Sequence, residues 1–218
     1  MKGATQKASS ESLGSITNSF SMQINRRTNP GTPRGAGNLR GEDIEKISQV
    51  EGITSSIKRI NAIADILDHE IIETEETLQN QSPERAKHFK NTLMVTGVND
   101  SSKEDKFVSG AYKLVQGEHL TDKDKNQILM HKDLAKKNGL KVGDKVRLKS
   151  NLYDADNEKG ANETVEVTIK GLFSGKNQAP LTYAQELYED TLISDLDTAA
   201  KLYGNTVQTA TYEDATFF

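Results

Sequence analysis

The chain has no cysteine, no tryptophan and only four prolines, and aromatic residues make up 6% of it. Without cysteine there is no thiol nucleophile, no disulfide and no Cys-ligated zinc. The compartment stays open, because a Cys-free chain suits the cytosol and equally the outside of a bacterium that does not rely on disulfides. The scarcity of aromatics argues against a deep aromatic ligand pocket. No apolar run approaches the roughly 20 residues of a membrane span. Met1-Lys2-Gly3-Ala4-Thr5-Gln6 lacks the apolar core of a signal peptide. Both absences fit a cytosolic protein, and equally a soluble segment of a membrane protein. A basic surplus is missing too: 28 Lys and Arg face 32 Asp and Glu, for a net charge of −4. Nucleic-acid domains usually have a pI above about 9, so no nucleic-acid partner is expected.

What is present is 218 residues, 34% hydrophobic and 28% charged. That is enough for one large domain or two small ones, with much of each element facing water. Phe20, Met22 and Ile24 alternate as in a half-buried strand. The Pro- and Gly-rich residues 29–37 must be a loop. Ile44, Ile47 and Val50 form a short helical stripe that ends at Gly52, and Ile53, Ser55 and Ile57 read as a strand. Residues 62–78 give no clear pattern. Residues 83–90 suggest a helix and 93–98 a strand. Further on, residues 131–138 suggest a helix capped by Gly139. Val146 and Leu148 alternate, and Val165, Val167 and Ile169 give the cleanest strand. Asp195 can cap a helix carrying Leu196, Ala199, Ala200 and Tyr203.

No constellation for catalysis emerges. Gly171 to Asn177 has three residues between its glycines and lacks a Ser or Thr after the lysine, so it fails as a phosphate loop. Counted from Asp154, an EF-hand would need Gly where Lys159 stands and Glu where Val165 stands. The four histidines, His69, His88, His119 and His131, show no i,i+4 pair. No Gly-x-Ser-x-Gly elbow is present. The expectation is therefore no enzyme, with no catalytic, cofactor-binding or metal residues.

The order of segments resembles a known family. Leu39-Arg40-Gly41-Glu42-Asp43-Ile44-Glu45-Lys46-Ile47, then Val50-Glu51-Gly52-Ile53, is similar to its early helix and strand. Leu93-Met94-Val95-Thr96-Gly97-Val98 is similar to the strand closing its first lobe. Gly117-Glu118-His119-Leu120, Ile128-Leu129-Met130 and the passage from Leu134 through Gly139-Leu140-Lys141-Val142-Gly143-Asp144 to Val146 are the most specific. Val167-Thr168-Ile169-Lys170-Gly171-Leu172-Phe173 and the helix at 196–202 complete the set. Together they resemble the extracytoplasmic domain of the MacB/FtsX/LolC superfamily of ABC transporter permeases. The strings at 20–27 and 153–160 look closest to the Vex-type peptide exporters of Gram-positive bacteria.

The resemblance implies an α+β fold of two lobes: a discontinuous porter-like α+β lobe and an inserted, mostly-β sabre-like lobe. The implied boundaries are a flexible linker at 1–14, the first part of the porter-like lobe at 15–98, the sabre-like lobe at 99–186, and the second part of the porter-like lobe at 187–218. Such domains continue past the last strand, so this part is either truncated or completed otherwise. The implied location is the extracytoplasmic face of the bacterial cell membrane. The implied role is to relay ATPase-driven conformational change to export of a peptide or other small cargo, or to an external partner. The implied partners are an ATPase subunit, a second permease and an external adaptor, and the excised domain is expected to be a monomer or weak dimer. The rival from another class is a cell-surface adhesin or carbohydrate-binding module. The expected partner contact is the tip of the hairpin at 148–165, carried by Tyr153, Asp154, Asp156 and Glu158 and expected to be mobile and to project from the inserted lobe.

Overall fold

The computed structural model describes residues 4–9, 17–23 and 39–218. Two 11-residue strands, β3 (Ser56–Ile66) and β8 (Thr164–Ser174), organise everything else. In β3, Ile60, Ala62, Ala64 and Ile66 are buried and alternate with half-buried residues. The sequence placed a strand at Ile53–Ile57 and left 62–78 unread. The strand runs later because Ile57 and Ile63 sit on its other, half-covered face and blur the alternation. In β8, Val165, Val167 and Ile169 alternate as expected, and Gly171, Leu172 and Phe173 are then all buried.

The other strands are β1 (Ala4–Ser9), β2 (Thr17–Gln23), β4 (Thr92–Val98), β5 (Lys113–Gly117), β6 (Gln127–His131), β7 (Lys145–Ser150), β9 (Thr191–Asp195) and β10 (Asp214–Phe217). They form a mixed sheet in the order β1-β2-β10-β3-β4-β9-β6-β8-β5, with β7 pairing both β3 and β8. That double pairing closes a ring of β3, β4, β9, β6, β8 and β7. Ala64 opposite Ser150 and Ile66 opposite Leu148 join β3 to β7. The parallel pairs are β4 with β9 and β6 with β8. Closure removes sheet edges, which otherwise invite unwanted pairing.

Among the described residues, six short helices accompany the strands: α1 (Gly41–Ser48), α2 (Glu75–Gln79), α3 (Pro83–His88), α4 (Asp105–Val108), α5 (Lys132–Lys137) and α6 (Leu196–Lys201). The protein is α+β. Alternate residues of β6, β8 and β9 divide two apolar cores. Ile128, Met130, Leu172 and Leu192 join the larger core with Leu93, Val165 and Ala199. Leu129, Phe173 and Ile193 join a smaller one with Tyr112 and Leu120. The Asp195 side chain accepts the Thr198 amide and starts α6, as the sequence suggested. The helix lies so close to β4 that a Cβ on Gly97 would stand 2.5 Å from the Ala199 Cβ.

Two expectations need correction. Within the 1–14 linker, Ala4–Ser9 pairs antiparallel with β2 from Ala4 opposite Met22 to Ser9 opposite Thr17. An open sheet edge can recruit an extended segment through its backbone alone, so no apolar signal is required. Val50, third member of the α1 stripe, lies beyond the helix and is 57% exposed. Ile24 and the loop at 29–37 lie outside the described residues.

Candidate functional site

The antiparallel β7–β8 pairing, with Leu148 opposite Val165 and Lys149 opposite Thr164, leaves residues 151–163 as the connecting loop. Four polar anchors shape it. Asn151, 1% exposed, donates from Nδ2 to the carbonyl of His88 at 3.2 Å and accepts the Tyr153 amide at 2.9 Å. Asn157, 6% exposed, donates to the carbonyls of Asn151 (3.2 Å) and Ala161 (2.9 Å) and accepts the Ala161 amide (2.9 Å). A buried carboxamide with these bonds holds the loop's two limbs together. The Lys159 ammonium donates to Asn205 Oδ1 at 2.5 Å and to the Gly204 carbonyl at 3.3 Å. The Asp154 carboxylate accepts the hydroxyl of Tyr203, two residues past the end of α6.

The expected projecting tip is therefore folded back. Its four acidic and aromatic residues do not share one face. Asp154 faces inward to Tyr203. The Tyr153 ring packs tilted against His88, with centroids 3.6 Å apart, yet stays 64% exposed. Asp156 and Glu158 line a cleft of about 230 Å³ with Lys159, Arg40, Ile60 and Tyr203. Length suggested an extended hairpin, but buried Asn157 and the Tyr203 hydroxyl offered more hydrogen bonding by return than by projection.

Tyr203 is the residue that sequence reasoning counted only as helix lining. Its hydroxyl also accepts the Ile63 amide at 3.0 Å, so it joins β3 to the loop. Burial, and then the Asp154 carboxylate, push the phenol well above its ordinary range. It stays a protonated donor at any physiological pH. The cleft thus has β3, the end of α6, residues 205–211 and the loop as walls. A larger cleft of about 660 Å³ lies between α1 and residues 121–125. Asp124 sits on its wall, accepting Lys170 at 2.8 Å and the Thr121 amide at 2.7 Å.

No family model and no curated protein matches the sequence. Among solved structures, the periplasmic region of MacB from Actinobacillus actinomycetemcomitans is similar over 92% of this chain and 74% of that one, at 16% identity and TM-score 0.49. The extracellular domain of the noncanonic ABC-type transporter YknZ from Gram-positive bacteria is similar over 92% and 83%, at 14% identity and TM-score 0.47. A domain of a permease protein from Porphyromonas gingivalis is similar over 84% and 70%, at 14% identity and TM-score 0.37. Similarities of this size do not define a family.

Proposed function

We propose that the chain is the extracytoplasmic domain of an ABC transporter permease, and that it transmits conformational change between an ATPase-driven membrane part and an external partner or cargo. One observation carries this reading. The segments that resemble the permease superfamily fall at the joints of the fold. Leu93 to Val98 is β4, the passage from Leu134 to Val146 is α5, its turn and the start of β7, and Val167 to Phe173 is most of β8. The excursion between β4 and β9 leaves and returns on parallel neighbours, while β2, β10 and β3 knit the early and late chain into one sheet. The division into a porter-like lobe at 15–98 and 187–218 and a sabre-like lobe at 99–186 is part of this proposal, and the parallel return beside β4 supports it, although β7 and β6 pair across the boundary with β3 and β9.

Rigid coupling between the two parts suits a mechanical relay. The Arg59 guanidinium on β3 pairs with Asp214 on β10 and lies 3.7 Å from Glu104, the N-cap of α4 in the excursion. A peptide as cargo, and a Gram-positive source, follow only from the narrower Vex-type resemblance. Calorimetry with ATP on this chain tests the assignment of nucleotide chemistry elsewhere. Tight ATP binding here overturns it.

The adhesin or carbohydrate reading needs aromatic platforms in a concave face. Tyr153 and Tyr183 are the large aromatics with substantial exposure among the described residues, and neither lines the two clefts above. A glycan array with a mapped aromatic site would favour that rival.

A further inference from the structure

Away from the loop, His131, Asp133 and Glu189 bring one ligand atom each to within 4.8 Å of one another. His131 ends β6 with its side chain 1% exposed, and Asp133 opens α5 with its side chain 44% exposed. Glu189 comes from the short 3₁₀ turn Tyr188–Asp190 that leads into β9. Sequence spacing missed the set because Glu189 is far along the chain and only the β6–β9 pairing brings it near.

The imidazole is held as a ligand would be. His131 Nε2 lies 2.8 Å from the Gly175 carbonyl. A carbonyl only accepts, so Nε2 carries the proton and Nδ1 keeps its lone pair. Metal-bound histidines are oriented in this manner by their second nitrogen. His131 Nδ1 stands 3.9 Å from Asp133 Oδ2. Glu189 Oε2 is shielded from solvent and has no hydrogen-bond partner, and neither has Oδ2 of the adjacent Asp190. A shielded carboxylate oxygen without a donor is costly unless a proton or a cation compensates it.

We propose that His131, Asp133 and Glu189 form a site for a single divalent transition-metal ion, zinc being the ion whose ligand chemistry fits. One imidazole and two carboxylates are donors zinc takes at about 2.0–2.2 Å, which puts ligand atoms on a tetrahedral ion roughly 3.3–3.6 Å apart. Small side-chain movements close the present separations to that value. Entry of the ion displaces the Asp133 amide, which now reaches His131 Nδ1 at 3.1 Å. That amide sits at a half-exposed helix start, where water replaces the bond. His131 and Asp133 line a cleft of about 330 Å³ with Gly175, and Glu189 lines a second one of about 260 Å³. Lys132 and Lys176 share the first cleft and compete for the carboxylates. A bound ion fastens the end of β6 to the turn before β9, stiffening the point where the excursion returns.

The test is calorimetric titration of zinc chloride into the metal-free chain, with the histidine ring signals followed by NMR. The expected result is one ion per chain at micromolar affinity or tighter, with direct shifts confined to His131 among the four histidines. Glu189→Gln and Asp133→Asn should each weaken binding at least tenfold. Binding only at millimolar zinc, shifts centred on His69, His88 or His119, or unchanged affinity in both variants would overturn the proposal. Should either variant fail to fold, the His131 shift in the unaltered chain decides.

Discussion

The Tyr203 hydroxyl donates to the Asp154 carboxylate while accepting the Ile63 amide, so one phenol fastens the 151–163 loop to β3. Tyr203→Phe removes the hydroxyl and keeps the ring. Taking the acceptor from the part-buried Ile63 amide and one donor from the Asp154 carboxylate should cost about 1–3 kcal/mol. Urea unfolding measures the loss, and amide exchange across 151–163 should quicken. An unchanged midpoint would show that the loop does not depend on this bond.

Within the same loop, Asp154 and Glu158 should part company. Glu158 is exposed on the rim of the smaller cleft, so Glu158→Ala should stay within about ±0.5 kcal/mol. Asp154→Ala should destabilise, because it abandons the Tyr203 hydroxyl. Melting curves of the two single variants decide this. As the partner contact, Tyr153 and Glu158 are the testable pair: their joint replacement should leave folding intact and reduce transport by the complete permease.

Arg59 is an electrostatic tie between the sheet and the excursion. It faces Asp214 and Glu104, and the Glu104 side chain is only 4% exposed. Arg59→Ala should cost about 1–3 kcal/mol, because the part-exposed Asp214 and the buried Glu104 both lose the cation that faces them. A double-mutant cycle with Glu104→Gln measures the coupling to the excursion, which a value near zero would refute.

Stability should also carry a pH signature from Asp124. Burial raises its carboxyl, but Lys170 and the Thr121 amide outweigh that and hold it below the ordinary range. A carboxyl depressed in the folded state contributes stability above its unfolded pKa of about 3.9 and loses it as pH falls through the folded value. Asp124→Asn should therefore cost about 0.5–1 kcal/mol at neutral pH. The difference from the parent chain should shrink to nothing under strongly acidic conditions. Denaturant melts at pH 7 and pH 2.5 check it.

Local signals read well wherever one residue type answers one backbone need. The Asp195 cap, the left-handed Gly139 after α5 (φ 64°) and the alternation of Val165, Val167 and Ile169 are all in place. Long-range demands were not legible. The closure of β7 onto β3 brings Ala64 to its register partner Ser150 across 85 intervening residues, and no local pattern encodes it. The seat of the loop was hidden likewise. Asp154 looked like a solvated acid because its partner, Tyr203, looked like ordinary helix lining. Polar side chains that fold inward are indistinguishable in sequence from those that face water until their donors are located.

The chain should sediment as a monomer or weak dimer at micromolar concentration. Obligate homodimers bury more than about 2,000 Å² of largely apolar surface. The exposed large hydrophobics here, such as Val50, Leu78, Val108 and Val115, come from separate elements. A tight dimer would contradict this.

The central claim is that this domain stands outside the cell membrane as part of a permease. The absence of cysteine from the chain makes a direct test available. Glu158→Cys, placed in the complete protein with any cysteines elsewhere removed, gives a single exposed thiol on the loop. A membrane-impermeant maleimide applied to intact cells should label it fully. Labelling that appears only after lysis would place the domain inside the cell and contradict the account.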